Sequence, residues 1–290
     1  MSKQHFGTLC ILLFSVLSSF AGGGPTVFFG NGMKIGEVDQ DSAIIWTRLT
    51  RAPEMNRPGV PFIPTEDKEA TMAAHMPERK PLDDMEGAMP GKVGTVRLTW
   101  ESDKGEKQST EWLGGAVKMD FTRKFWLKDL TPETEYQLTL ESRDSKGNPG
   151  QTITGSFHTP VARKKVAPVR FTVVTGQDYP RRDDKIMGHQ IYPHMLDLGL
   201  DFFVHTGDIE YYDKPDPWAT NVELARFKWN RLYGLPNQKD FHTKVASYFI
   251  KDDHDTFMND AWPTMETHFM GDFTFEQGLE VFRQQVPMGE

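Results

Sequence analysis

Leu200-Asp201-Phe202-Phe203-Val204-His205-Thr206-Gly207-Asp208-Ile209-Glu210-Tyr211 is the stretch that decides the fold. Its first half is mostly apolar and rich in strand formers; its second half turns abruptly polar. A short apolar run of this kind reads as a strand buried on both faces, the habit of parallel sheets. The pattern recurs twice. Residues 169–175 (VRFTVVT) give way to Gly176-Gln177-Asp178-Tyr179, and residues 244–250 (KVASYFI) give way to Lys251-Asp252-Asp253-His254-Asp255. Between the runs, residues 188–198 carry Ile191, Met195 and Leu198 at helical spacing, and residues 221–233 carry Leu224, Phe227 and Leu232. Strand–helix–strand–helix–strand predicts a parallel sheet with right-handed crossovers. Functional side chains then gather at the carboxyl ends of its strands.

Upstream the pattern is different. Residues 42–47 are β-rich, and strand signals return at 94–101, 121–127, 135–143 and 151–158, with turn chemistry at Gly105 and Ser145-Lys146-Gly147-Asn148. Leu130-x-Pro132-x-Thr134-x-Tyr136 resembles the corner before a late strand in fibronectin type III domains, where a buried tyrosine bonds back to the chain. An ordinary turn with an exposed tyrosine is the other reading. Residues 51–92 hold many Pro, Met, Glu and Asp and little periodicity, so they read as a long, partly disordered insertion between strands. The expected architecture is α+β in two domains. A β-sandwich of fibronectin III or immunoglobulin type spans 25–160, and an incomplete α/β domain spans 168–290, joined through Lys164, Lys165 and Pro168.

With 290 residues, 38% of them hydrophobic, the chain can bury a core. Lys3, the apolar run 9–17 and the small-residue site Ser19-Phe20-Ala21 predict a signal peptide over 1–21, hence a secreted or periplasmic protein. The apolar run is shorter than the roughly 20 residues a membrane span needs. Cys10, the single cysteine, falls inside that segment, so any metal ligands in the mature chain are oxygen or imidazole donors. Loss of Lys3 takes the formal charge from −8 to about −9, which gives no general attraction for nucleic acid.

Each apolar strand thus feeds a polar cluster to one edge of the sheet. Carboxylates bind hard cations, and an imidazole binds metal or donates a proton. Asp208 after a glycine also suits a helix cap. Asp252–Asp255 also suits a solvated acidic turn, Tyr211 a packed aromatic, and His205 a packed, hydrogen-bonded histidine.

Gly207-Asp208-x-x-Tyr211 and Asp252-Asp253-His254-Asp255, with Gln177-Asp178-Tyr179 before them, resemble the alkaline phosphatase D family of the calcineurin-like metallophosphoesterases. Gly36-Glu37-Val38 through Asp41-Ser42-Ala43-Ile44-Ile45-Trp46-Thr47-Arg48 is similar to the opening of that family's N-terminal β domain. The resemblance implies a phosphomonoesterase or phosphodiesterase with a metal cluster, iron with calcium. It implies Asp208 as a bridging carboxylate, Tyr211 as a phenolate ligand, and Asp253 at a ligand position. His254 becomes the histidine that stabilises the transition state or protonates the leaving group, with Asn259 in the same motif. The family offers a cysteine ligand where this chain has Gly176; Asp178 is the substitute the sequence offers. The family also continues to histidine-bearing segments that complete the site, and this chain stops at Glu290. The expectation is therefore a C-terminally truncated hydrolase, inactive alone. The alternative is a secreted, non-catalytic binding module with a degenerate phosphoesterase half. A carbohydrate-active hydrolase needs two opposed carboxylates and leaves Tyr211 and His254 unexplained.

Overall fold

A computed structural model describes residues 24–62 and 81–289. The signal segment 1–21, with Cys10, lies outside the described residues, as does the middle of the 51–92 insertion.

Two sheets carry the fold. The smaller is antiparallel. It orders β4 (Lys107–Ser109), β3 (Gly94–Ser102), β7 (Glu135–Asp144) and β8 (Pro149–His158), with β5 (Leu113–Gly114) pairing on β3. The larger has six strands in the order β6 (Thr122–Leu127), β2 (Ala43–Arg48), β1 (Met33–Gly36), β11 (Ala246–Phe249), β10 (Phe202–His205) and β9 (Phe171–Val174). β9, β10 and β11 run parallel, as their sequences predict. The helices are α1 (Ile191–Leu196), α2 (Val222–Leu232), α3 (Pro236–His242) and α4 (Phe275–Gln285).

The halves 25–160 and 168–290 meet within this larger sheet. β1 pairs antiparallel with β2 and parallel with β11, Gly36 lying opposite Ser247. Every residue of β1 and β2 is buried. Ala43 and Ile45 join the core between the sheets, while Trp46 points the other way and donates its indole N–H to the Gln284 carbonyl of α4 at 2.7 Å. Lys34 is buried in β1, its ammonium 3.6 Å from the Tyr233 ring centroid and 2.6 Å from the Gln285 carbonyl. Burial holds its pKa well below the usual lysine range.

The tyrosine corner forms. Tyr136 is buried, accepts the Thr131 backbone N–H at 2.8 Å and stacks on Phe157. The described ends of the insertion bridge to each other, Asn56 to Ala88, and Phe62 meets Phe227 of α2 edge-on at 5.2 Å. One expectation needs correction. β9 is not buried on both faces: Val169, Phe171 and Val173 are each more than half exposed. Among the described residues β9 ends the sheet, and α1 and α3 cover the face that carries Phe203.

Candidate metal centre

The loops after β9, β10 and β11 lie against one another, and backbone geometry makes that possible. The Gly176 amide donates to the Gly207 carbonyl at 3.1 Å, and the Gln177 amide to the Asp208 carbonyl at 2.9 Å. Gly207 has φ +110°, and a Cβ there would stand 2.5 Å from the Asp252 Cβ, so only glycine lets these two loops touch. Asp208 follows with φ +54°, a left-handed conformation that aspartate tolerates better than most residues.

Asp255 ties the second loop to the third. It is fully buried. One carboxylate oxygen accepts the amides of Ile209 (2.7 Å) and Glu210 (2.8 Å), and the other accepts that of Asp252 (3.0 Å). Burial pushes its carboxyl up to about 7, against the pull of those amides. Behind this turn, Gly278 of α4 seats the helix directly on the Thr256 carbonyl, a contact no Cβ could share.

The result is a cluster. Asp208, Asp253 and His254 each offer a ligand atom, all within 4.8 Å of one another; it is the one such group among the described residues. Tyr211 donates its phenolic O–H to Asp208 Oδ2 at 3.0 Å. The other oxygen, Oδ1, is buried with no hydrogen-bond partner. A carboxylate oxygen so placed is costly unless a cation or a proton meets it, so the donor set fits a cation. Burial, and then Asp208 itself, push the Tyr211 pKa above the usual tyrosine range, so without a cation it is a phenol.

The remaining expected ligands stand outside this group. Asp178 pairs with Lys214 at 3.3 Å and Arg181 at 3.7 Å, and the Lys214 ammonium sits 3.4 Å from the Tyr211 ring centroid. Asn259 turns its side chain to Asp260 at 2.6 Å. Gly176 does face the cluster: a Cβ there would meet the Tyr211 hydroxyl at 3.6 Å and nothing else. His205 is packed, yet neither ring nitrogen has a hydrogen-bond partner, and burial pushes its pKa down to about 4.

Asp213 carries a role that no motif announces. Its Oδ1 lies 2.7 Å from His254 Nδ1 and its Oδ2 accepts the Asn259 amide at 3.0 Å. Burial alone would push the His254 pKa down; the hydrogen bond and charge of Asp213 outweigh it and leave it above the usual histidine value. The Asp213 carboxyl, raised by burial, is brought below its usual range by the same contact. The pair thus fixes Nδ1 as a donor and leaves Nε2 for other work. A buried pair, Lys228 with Glu210 at 3.5 Å, lies beneath the second loop. Burial moves both towards neutrality.

No family model matches this chain, and no curated protein sequence does. Solved structures do. The structure of PhoD superposes with a TM-score of 0.61 at 16% identity, covering 90% of this chain and 46% of that one. The structure of purple acid phosphatase PPD1 from yellow lupin (Lupinus luteus) seeds gives 0.52 at 13% identity, covering 89% and 41%. At such identities the likeness shows a shared fold. The chain spans less than half the length of either neighbour.

Proposed function

We propose that this chain is a metal-dependent phosphoester hydrolase, or part of one, of the alkaline phosphatase D type. The convergence of Asp208, Asp253 and His254 from two loops at one sheet edge carries the reading. The likeness in fold to PhoD and to a purple acid phosphatase supports it. Asp208 and Asp253 hold the cation, with Asp178 and Asn259 lying farther out. A bound ion here supplies charge for the phosphoryl oxygens and acidifies a water. Oxygen donors suit a hard ion such as calcium or ferric iron. Gly176 offers no thiolate.

The side chains have separable tasks in this reading. The Tyr211 hydroxyl orients the Asp208 carboxylate. His254, held through Nδ1 by Asp213, donates a proton from Nε2 to the oxygen of the departing alcohol. Lys214 adds positive charge beside Tyr211 and counters Asp178, which favours an anionic substrate. We further infer export, from the leader at 1–21. The rival reading, a non-catalytic binding module, draws on Gly176.

The test is elemental analysis of the purified chain alongside hydrolysis of 4-nitrophenyl phosphate and bis(4-nitrophenyl) phosphate. Near-stoichiometric metal, lost together with turnover in Asp208→Ala, is the expected result. A folded protein that takes up no metal sinks the proposal and leaves the binding module.

A further inference from the structure

The large sheet has a second concavity, at the opposite end of its parallel strands. A cavity of about 470 Å³ opens between β8, the connection 160–168 and the starts of β9, β10 and β11. Its size falls in the range of small-ligand sites. Phe157, Phe202 and Tyr248 line it. Phe202 stacks on Phe171 at 4.9 Å and meets Tyr248 edge-on at 5.5 Å, so Phe202 and Tyr248 form one packed aromatic pair in the wall.

Two carboxylates without an ion-pair partner among the described residues stand in the lining. Glu135 and Asp201 line the cavity. Glu135 accepts from the Gln137 side-chain amide at 3.5 Å and Asp201 from the Arg170 backbone amide at 2.6 Å; neither forms an ion pair among the described residues. Lys244, also in the lining, is held by Asp240 at 2.6 Å. Burial raises the Tyr248 phenol pKa first, and Asp39 and Glu37 raise it further, although Asp39 also pairs with Arg163 at 3.8 Å.

Aromatic faces beside unpaired carboxylates attract a cation through ring quadrupole and charge together. A bare metal ion needs converging oxygen ligands, and the metal-spaced group among the described residues is Asp208, Asp253 and His254, at the other end of the strands. An anion would face Glu135 and Asp201. We propose that this cavity binds a small organic cation with an apolar body, of the quaternary or aryl ammonium class.

Calorimetric titration with phenyltrimethylammonium tests this, with benzenesulfonate as the anionic counterpart. One-to-one binding of the cation, weakened by salt, and none of the sulfonate is the expected result. Val169→Trp adds bulk to the lining from a position 60% exposed, where the fold tolerates it. That variant should weaken binding at least tenfold, and Glu135→Gln several-fold. Asp208→Ala should leave it unchanged, which separates this site from the metal centre. No saturable binding, equal binding of the sulfonate, or full affinity in both Val169→Trp and Glu135→Gln would overturn the proposal.

Discussion

At the scale of single residues, the contact with the clearest chemical consequence is Asp213 with His254, 2.7 Å apart. Asp213→Asn keeps the shape and removes the charge. The His254 pKa should fall below its value in the parent chain, because the charge of Asp213 opposes the desolvation of the ring. Two-dimensional imidazole NMR reads that directly. Turnover, where present, should drop roughly 10- to 100-fold, the usual cost of losing an outer-shell partner. An unmoved His254 titration would show that the carboxylate does not govern the ring. Asp208, Asp253 and His254 were legible in the sequence because each follows directly on an apolar strand, where stray charge is expensive. Asp213 was not: it stands in a loop, Tyr212-Asp213-Lys214-Pro215, with no periodicity to place it. Asp255 was visible as one acid among three, but its staple of three backbone amides is a property of the packed loops.

At the scale of elements, β10 and α3 bury two histidines together. His205 and His242 are both almost wholly buried, and desolvation lowers both pKa values. For His205 the folded value is about 4 against about 6.5 in an unfolded chain. Between those limits the unfolded state binds more protons, so stability is present above pH 6.5 and lost as pH falls towards 4. The shift is worth about 3 kcal/mol for a ring this buried. Asp255 acts in the opposite sense over much of the same window, since its raised pKa makes the fold hold its proton more tightly. The clean reading is therefore a difference. Urea unfolding from pH 7 to 4 should show His205→Leu losing less stability than the parent chain, and parallel curves would refute a buried neutral ring. The three parallel strands and α2 stand where the hydrophobic spacing put them; α1 forms within 188–198, but of Ile191, Met195 and Leu198 only Met195 is buried. α3 has only seven residues and begins at a proline, too short for periodicity to declare it. α4 did leave a signal, the Thr274-x-x-Gln277 capping box, whose reciprocal bonds both form.

At the scale of the molecule, the joint between β1 and β11 makes the two halves share a sheet. Hydrogen exchange in denaturant should therefore show β7 and β10 amides opening in one transition; two well-separated transitions would mean that the joint carries little coupling. This joint was hidden in the sequence because β1 is four residues long and contains Lys34, which reads as polar although its ammonium is enclosed by aromatic rings. The antiparallel sheet was legible from alternation, and the corner from Tyr136, whose bond forms. β9 misled because an apolar run announces a desire for cover and not its fulfilment. Its outer edge and the side chains of Phe171 and Val173 face water, so this molecule carries a built-in seam at which like can adhere to like. Its colloidal behaviour then rests on mutual repulsion between copies bearing a formal charge of −8, a protection that weakens as salt rises or as the pH approaches 5.6.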